Sequence, residues 1–260
     1  MTGRFRRLFV GSNLKMYKTN RQTLDYLDQL QRLTHDIPRD ELTLFILPSY
    51  ITLADVCRAA DPDLVWIGAQ NMHWEEQGQF TGEVSPLMLS EIGVRLIMVG
   101  HAERRQLFGE EEWMVNRRVL SSLEHGFHTL LCVGDTSDDV RYGVSADRLR
   151  LQLKTALYNV PCDQLDRLWV TYEPAWAIGE QGTVAKADFA NEMHSVLRQI
   201  LVDLYPQKNG DVPILYGGSV NLENAVDLIC QPQVDGLFIG RAAWDAENYN
   251  CILRRILQTA

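Results

Sequence analysis

The sequence predicts a single (β/α)8 barrel. Short apolar, β-branched runs alternate with longer segments of helical periodicity along all 260 residues. Most of the runs lack a polar/apolar alternation, which is typical of parallel strands buried on both faces. Eight strand-and-helix units average about 32 residues, near the ~30 of one βαβ unit. Barrels of eight such units usually have about 250 residues, so we expect one domain over residues 1–260.

Eight runs are predicted strands, in chain order: Leu8–Val10, Thr43–Leu47, Leu64–Ile67, Leu96–Val99, Thr129–Val133, Trp169–Tyr172, Ile214–Tyr216 and Leu237–Ile239. Clear amphipathic helices are predicted over Gln22–Leu33, Ala146–Tyr158 and Phe189–Leu204, the last with apolar residues at a spacing of three to four. A doubly wound open sheet shares this alternation. For dinucleotides that fold carries GxGxxG after its first strand, and the sequence has no such motif there, which favours the barrel.

The composition excludes several classes of protein. The formal charge of −9 argues against a nucleic-acid or anionic-membrane surface as the main partner. The five cysteines are odd in number and form no CxxC pair, which indicates a reducing cytoplasm and no zinc ribbon. No window approaches the roughly 18 apolar residues that a membrane helix requires.

Chemically active residue types follow several predicted strands. In a barrel of this kind, residues at the carboxyl ends of the strands face the catalytic mouth. Those positions hold the following residues: Asn13, Lys15, His101, Glu173, Gly217-Gly218-Ser219 and Gly240-Arg241. A carboxylate can remove a proton next to a carbonyl that an imidazole and a cation polarise, while glycine-rich turns offer backbone amides to a phosphate.

Four segments carry a resemblance to a known family: Asn13–Met16, Gly100–Arg105, Tyr172–Gly179 and Tyr216–Val220. They resemble the four signatures of the triosephosphate isomerase family, in the family's order and at its spacing. The resemblance runs from about Phe9 to the last helix. It implies a TIM barrel that interconverts a ketose phosphate and an aldose phosphate by a proton shift, with no cofactor and no metal.

The resemblance also implies roles for individual residues. Glu173 is the expected general base, and His101 the neutral imidazole that shuttles protons between the two substrate oxygens. Lys15 is expected to hold the anionic substrate, with Glu103 as a partner of the lysine and the histidine. Taken without its motif, Glu173 reads equally well as a helix cap or a surface ion pair.

The same resemblance implies a substrate-binding set of Asn13, Gly179, Gly218, Ser219, Gly240 and Arg241. It implies that Pro174–Ala185 is a lid over the site. It further implies a homodimer through the Asn71–Val84 loop, with Thr81-Gly82-Glu83 reaching the neighbouring subunit near its lysine and histidine. The alternative for this loop is a solvated surface segment.

Several positions depart from the usual pattern of the family. Leu14 replaces a tryptophan, Ala102 a serine, and Arg241 the second glycine of the phosphate turn. Two segments, Gly68–Trp74 and Gly236–Arg241, resemble a paralogous branch that converts L-erythrulose 1-phosphate to D-erythrulose 4-phosphate. We favour this four-carbon substrate over the triose.

Other mechanisms remain open at the level of sequence. A non-catalytic phosphosugar-binding barrel is opposed by the presence of all three chemical residues. A Schiff-base aldolase would need a nucleophilic lysine, for which Lys15 is the strong candidate. A metal-dependent mechanism is disfavoured because no histidine–carboxylate cluster has ligand spacing.

Overall fold

A computed structural model describes residues 7–177, 185–208 and 210–259. Eight parallel strands close into a barrel in sequence order, with the last strand paired to the first. The strands are β1 (Leu8–Asn13), β2 (Leu42–Leu47), β3 (Trp66–Ala69), β4 (Leu96–Val99), β5 (His128–Val133), β6 (Leu168–Tyr172), β7 (Ile214–Tyr216) and β8 (Gly236–Ile239). This is the (β/α)8 TIM barrel that the sequence predicts.

Helices surround the strands throughout the described ranges. They are α1 (Asn20–Thr34), α2 (Tyr50–Ala59), α3 (Pro86–Glu91), α4 (Ala102–Leu107), α5 (Glu112–Glu124), α6 (Ser137–Tyr142), α7 (Ser145–Ala156), α8 (Ala187–Leu204), α9 (Ala225–Ile229) and α10 (Ala246–Leu257). Helix α1 begins with a capping box between Thr19 and Gln22, which satisfies amides that have no partner inside the helix. No described helix is both long and apolar enough to cross a membrane.

Side chains along each strand alternate between the barrel lumen and the helix layer, as strand geometry requires. On β1, Phe9 belongs to the lumen cluster, whereas Val10, and Leu14 just after the strand, belong to the cluster shared with the helices. On β6, Trp169 lies in the lumen and Tyr172 packs outward. The same two-residue step directs Asn13 and Glu173 to the lumen at the carboxyl ends of their strands.

The lumen is a packed aromatic core rather than a channel. The Phe45 ring stacks on Phe238 with centroids 5.9 Å apart, and Phe9 lies 4.9 Å from Trp169. Gly11 makes room for this packing, because a Cβ there would lie 2.0 Å from the Phe45 ring. These aromatic side chains fill the middle of the lumen.

The third strand begins two residues later than the sequence predicts. Both Leu64 N and Val65 N donate to the Asp61 carbonyl at 3.0 Å, which holds this stretch in a turn. The ladder therefore starts at Trp66, which pairs with Phe45. Apolar residues alone did not distinguish the turn from the strand. The three predicted helices agree with α1, α7 and α8 to within two residues at either end.

His194 connects α8 to the strands that carry the site. Its fully buried ring lies 6.0 Å from the Tyr172 ring and 6.3 Å from the Tyr216 ring, between centroids. Its Nδ1 lies 3.2 Å from the Gln233 carbonyl oxygen. Burial lowers the pKa of this imidazole from 6.5 to about 3, chiefly because the charged form is poorly solvated there.

We expect His194 to make the fold sensitive to acid. Below pH 6.5 the unfolded chain takes up a proton at this position, whereas the folded chain does so only near pH 3, so the free energy of unfolding falls with pH in that window. From pH 6.5 to pH 5 the loss is about 2 kcal/mol. Urea unfolding of the parent and of His194→Asn should show it. An equal loss of stability in both proteins over this range would contradict the expectation.

Candidate active site

A cavity of about 360 Å³ opens at the carboxyl ends of the strands. It brings together most of the predicted site, which the sequence spreads over more than 200 residues: Asn13, Lys15, His101, Glu173, Gly218, Ser219, Gly240 and Arg241 all line it. Glu103 lies beside it, bonded to Lys15. Gly179 and most of the predicted lid lie outside the described residues. Charged side chains line one side of the cavity, and glycine-rich turns line the other.

Lys15 sits in a turn that immediately follows β1. Its φ of 51° lies in the left-handed region, which is uncommon for a residue with a side chain. The Lys15 amide donates to Asn13 Oδ1 at 2.8 Å, and Gln70 Nε2 donates to the Lys15 carbonyl at 2.9 Å. The ammonium binds Glu103 Oε1 at 2.5 Å. These bonds hold the cation at the edge of the cavity.

His101 is the N-cap of α4. Gly100 turns the chain out of β4 with a φ of 75°, and the next residue places its ring over the start of the helix. The Glu103 amide donates to His101 Nδ1 at 3.2 Å. A ring nitrogen that accepts from an amide carries no proton, so we assign the neutral tautomer with its hydrogen on Nε2. That nitrogen points toward Glu173, whose Oε1 is 3.5 Å away.

The Glu173 carboxylate is almost completely buried, with 1% of the residue exposed. Its backbone amide donates to the Val133 carbonyl at 2.8 Å, one step beyond the end of β6. Gly134 allows this approach, because a Cβ there would lie 1.9 Å from the Glu173 carbonyl oxygen. The side chain accepts from the Ala102 amide at 3.0 Å, at the first turn of α4. The carboxylate is thus held by amide and imidazole groups, out of water.

Cys132 lies against the same carboxylate. The pKa of its fully buried thiol is raised well above the ordinary value, first by burial and then by the charge and hydrogen bonding of Glu173. A thiol that keeps its proton adds no second negative charge beside Glu173. This contact was not predicted, because a strand pattern does not show which side chains of two neighbouring strands meet.

The opposite side of the cavity is formed by the turns after β7 and β8. A Cβ on Gly218 would lie 2.2 Å from the Tyr216 hydroxyl, so only glycine allows this path of the chain. Asn224 Nδ2 donates to the Ser219 carbonyl at 2.9 Å and fixes the turn. Arg241 begins a short 3-10 helix, Arg241–Ala243, and is exposed at the rim. These turns offer backbone amides and a cation to an anion.

Two further residues that contact the site were not predicted from the sequence. Gln70 binds the carbonyls of Lys15 and Leu47, each at 2.9 Å. Trp244 lines the cavity and donates from its indole to the Asn13 carbonyl at 2.8 Å. Gln70 lies within Gly68–Trp74, and Trp244 lies three residues after Gly236–Arg241. A bond from a side chain to a backbone carbonyl produces no recognisable spacing in the sequence.

Among the described residues, no group of three or more histidine, cysteine, aspartate or glutamate side chains is placed to hold a metal ion. The ionisable side chains that line the cavity include a buried carboxylate, an imidazole and an ammonium group. Together these can remove a proton, donate a hydrogen bond to an oxygen and stabilise a developing negative charge.

Comparison with known proteins agrees with this arrangement. A family model described as triosephosphate isomerase matches residues 8–256. An L-erythrulose-1-phosphate isomerase from Rhizobium etli is 39% identical over 96% of this chain and 92% of its own. A triosephosphate isomerase from Thermoanaerobacter sp. is 38% identical over 94% of this chain and 97% of its own. The chain is an isomerase and belongs to the triosephosphate isomerase family.

Proposed function

We propose that this chain is an isomerase that moves a proton between adjacent carbons of a short phosphosugar, so that the carbonyl moves to the neighbouring carbon. The observation that carries the proposal is the convergence of Glu173, His101 and Lys15 on one cavity whose other side is lined by glycine-rich turns. The reaction passes through an enediolate and uses side chains alone. No cofactor takes part in it.

Glu173 is the proposed base. Its carboxylate removes the proton from the carbon next to the carbonyl and returns it to the neighbouring carbon. Burial supports this role, since excluding water strengthens every electrostatic interaction inside the cavity. In the structure, the carboxylate binds the Ala102 amide, so it exchanges this contact for the substrate.

His101 and Lys15 are proposed to stabilise the enediolate. The hydrogen on His101 Nε2 is donated to the substrate oxygens and passes between them, because Nδ1 is occupied by the Glu103 amide. The Lys15 ammonium supplies positive charge where negative charge develops. Glu103 orients that ammonium through their 2.5 Å ion pair.

The phosphate is proposed to bind at the turns of Gly218, Ser219, Gly240 and Arg241, with Asn13 on the opposite wall. Oriented amides in such turns bind anions well. Gly179, in the segment that the resemblance implies is a lid, is proposed to contribute a further amide. Closure of that lid would exclude water from the enediolate.

Glu173→Gln should lower kcat by about 10³-fold, because the amide removes the base and general acid–base catalysis is worth roughly 10²–10⁴-fold. The measurement is isomerase turnover with both candidate substrates. Glu192→Gln, at an exposed position on α8, is the control and should keep full activity. Near-normal turnover of Glu173→Gln would overturn the assignment. Parent enzyme that binds sugar phosphate without exchanging substrate hydrogen in heavy water would instead identify a non-catalytic binding protein.

We propose L-erythrulose 1-phosphate as the substrate, converted to D-erythrulose 4-phosphate. Support comes from Arg241 at the rim of the phosphate turn and from relatives of that name in Rhizobium etli and Mesorhizobium japonicum, each 39% identical. The alternative is the interconversion of dihydroxyacetone phosphate and glyceraldehyde 3-phosphate. It is supported by relatives named triosephosphate isomerase at similar identity.

The two substrates can be separated by their specificity constants. We expect kcat/KM for L-erythrulose 1-phosphate to exceed that for dihydroxyacetone phosphate by at least tenfold, which corresponds to about 1.4 kcal/mol of transition-state binding. Both are measured on one preparation of enzyme, so that differences in active fraction cancel. A preference for the triose would establish the alternative.

We also propose a homodimer formed through the Asn71–Val84 loop. The loop is closed at its base by a bond from the His73 amide to the Val84 carbonyl at 2.8 Å, and its tip from Glu75 to Glu83 is exposed. Apolar surface lies beside it: Met16 is 93% exposed next to Lys15, and Gln70 joins the loop base to that same turn. A partner's loop would cover this surface.

Met16→Glu should therefore convert a dimer into a monomer, because it places an unpaired charge in the contact. Light scattering after size exclusion measures the mass, and the parent should weigh twice one chain. Leu151→Glu makes the same change at an exposed apolar position on α7 and should leave the dimer intact. A monomeric parent, or a dimeric Met16→Glu, would disprove this interface.

A cytoplasmic location is proposed on the strength of the five cysteines, all of which are free thiols. We further propose that residues 1–260 form one domain, since the family model extends over 8–256 and the strands of that range close a single barrel.

A further inference from the structure

We propose that Trp244 is a positioning residue that holds the turn bearing Lys15 in its active shape. The inference rests on the proposed role of Lys15 in the isomerase reaction. Trp244 follows the 3-10 helix after β8 and is partly buried against the outer core. It lies far from Lys15 in sequence but meets that turn on both sides.

The two contacts of Trp244 bracket the lysine. Its indole Nε1 donates to the Asn13 carbonyl at 2.8 Å, two residues before Lys15. Its ring packs on Tyr17, two residues after Lys15, with centroids 4.3 Å apart. One side chain thus fixes both ends of a five-residue turn.

The position of the Asn13 carbonyl explains why an indole is useful there. The ladder between β1 and β8 ends at the pair Ser12 and Ile239, so β8 offers no paired residue at the next step. Trp244 supplies a donor at this carbonyl and extends the barrel seam by one bond. A buried carbonyl without a donor is unfavourable, and Asn13 is 5% exposed.

The turn needs such support because Lys15 has a φ of 51°. A residue with a side chain keeps a left-handed backbone conformation when several surrounding contacts hold it there. Gln70 holds the Lys15 carbonyl from the β3 side, and Trp244 holds the Asn13 carbonyl from the β8 side. A small displacement of this turn moves the ammonium relative to the reacting atoms, to which electrostatic stabilisation is sensitive.

Trp244→Phe tests the proposal, because it keeps an aromatic ring beside Tyr17 and removes the indole donor. We expect kcat to fall about three- to tenfold, the equivalent of one hydrogen bond, with KM changed less than twofold. Tyr205→Phe is the matched control. It likewise keeps a ring and removes side-chain bonds to carbonyls, here of 3.1 Å to Leu157 and Val160 away from the cavity, and should leave kcat unchanged.

Tyr17→Leu supplies a second variant, independent of any folding defect in the first. Removing the ring contact should lower kcat about two- to threefold. Because Trp244→Leu removes both the indole donor and the ring contact, Tyr17→Leu combined with Trp244→Leu should lower kcat no further than Trp244→Leu alone. Independent, multiplicative losses in the double variant would contradict a shared action.

Other kinetic results for Trp244→Phe would also test its proposed positioning role. Unchanged kcat per folded enzyme in Trp244→Phe, even with lower stability, would make the residue merely structural and overturn the proposal. A rise in KM alone would make Trp244 a substrate contact and overturn it too. A parent enzyme inactive on both phosphosugars is a different result, since it contradicts the proposed function itself.

Discussion

The register of the closed barrel is the constraint on which the site depends. Phe9, Gly11 and Asn13 share the lumen face of β1, and Trp169, Thr171 and Glu173 share that of the chain through β6. A slip of one residue would turn the mouth residues into the helix layer and bring Val10 and Leu14 into the lumen. The seam between β8 and β1 resists such a slip, because Gly236 packs so tightly against Phe9 that a Cβ would lie 1.9 Å from its carbonyl oxygen. Closure of the barrel in this register therefore directs Asn13 and Glu173 into the cavity at the mouth.

Beyond the strand ends, the turns are held by side chains bonded to backbone groups. Gln70, Asn224, Trp244 and Arg105 each donate to a carbonyl at the mouth, where the strand ladder no longer supplies partners. Gln70 and Trp244 cross to a neighbouring βα unit, as does Arg105 through a further bond to the Cys132 carbonyl, whereas Asn224 binds within its own unit. Contacts from units on both sides of β1 therefore hold the turn that carries a lysine in left-handed backbone.

Much of this organisation could be predicted from the sequence, for physical reasons. Eight apolar runs at regular spacing predict the barrel. Because Asn13, His101 and Glu173 each lie after one of these runs, the barrel predicts that they meet at its mouth. Contacts between individual side chains of neighbouring units could not be predicted, since nothing in a local pattern records them. Cys132 beside Glu173 and Trp244 beside Asn13 are of this kind. The late start of β3 was missed because its turn is made by backbone bonds to Asp61, which apolar content does not report.

The ion pair between Lys15 and Glu103 has a consequence for how substrate arrives. At a separation of 2.5 Å the two charges largely cancel when viewed from solution, and the chain as a whole carries −9. This pair therefore adds little to the field beyond the rim, where Arg241 is also exposed, and at a Debye length of about 8 Å in physiological salt little of any field extends far. Under the proposed function, the Lys15 ammonium acts on a bound anion mainly at close range, inside the cavity.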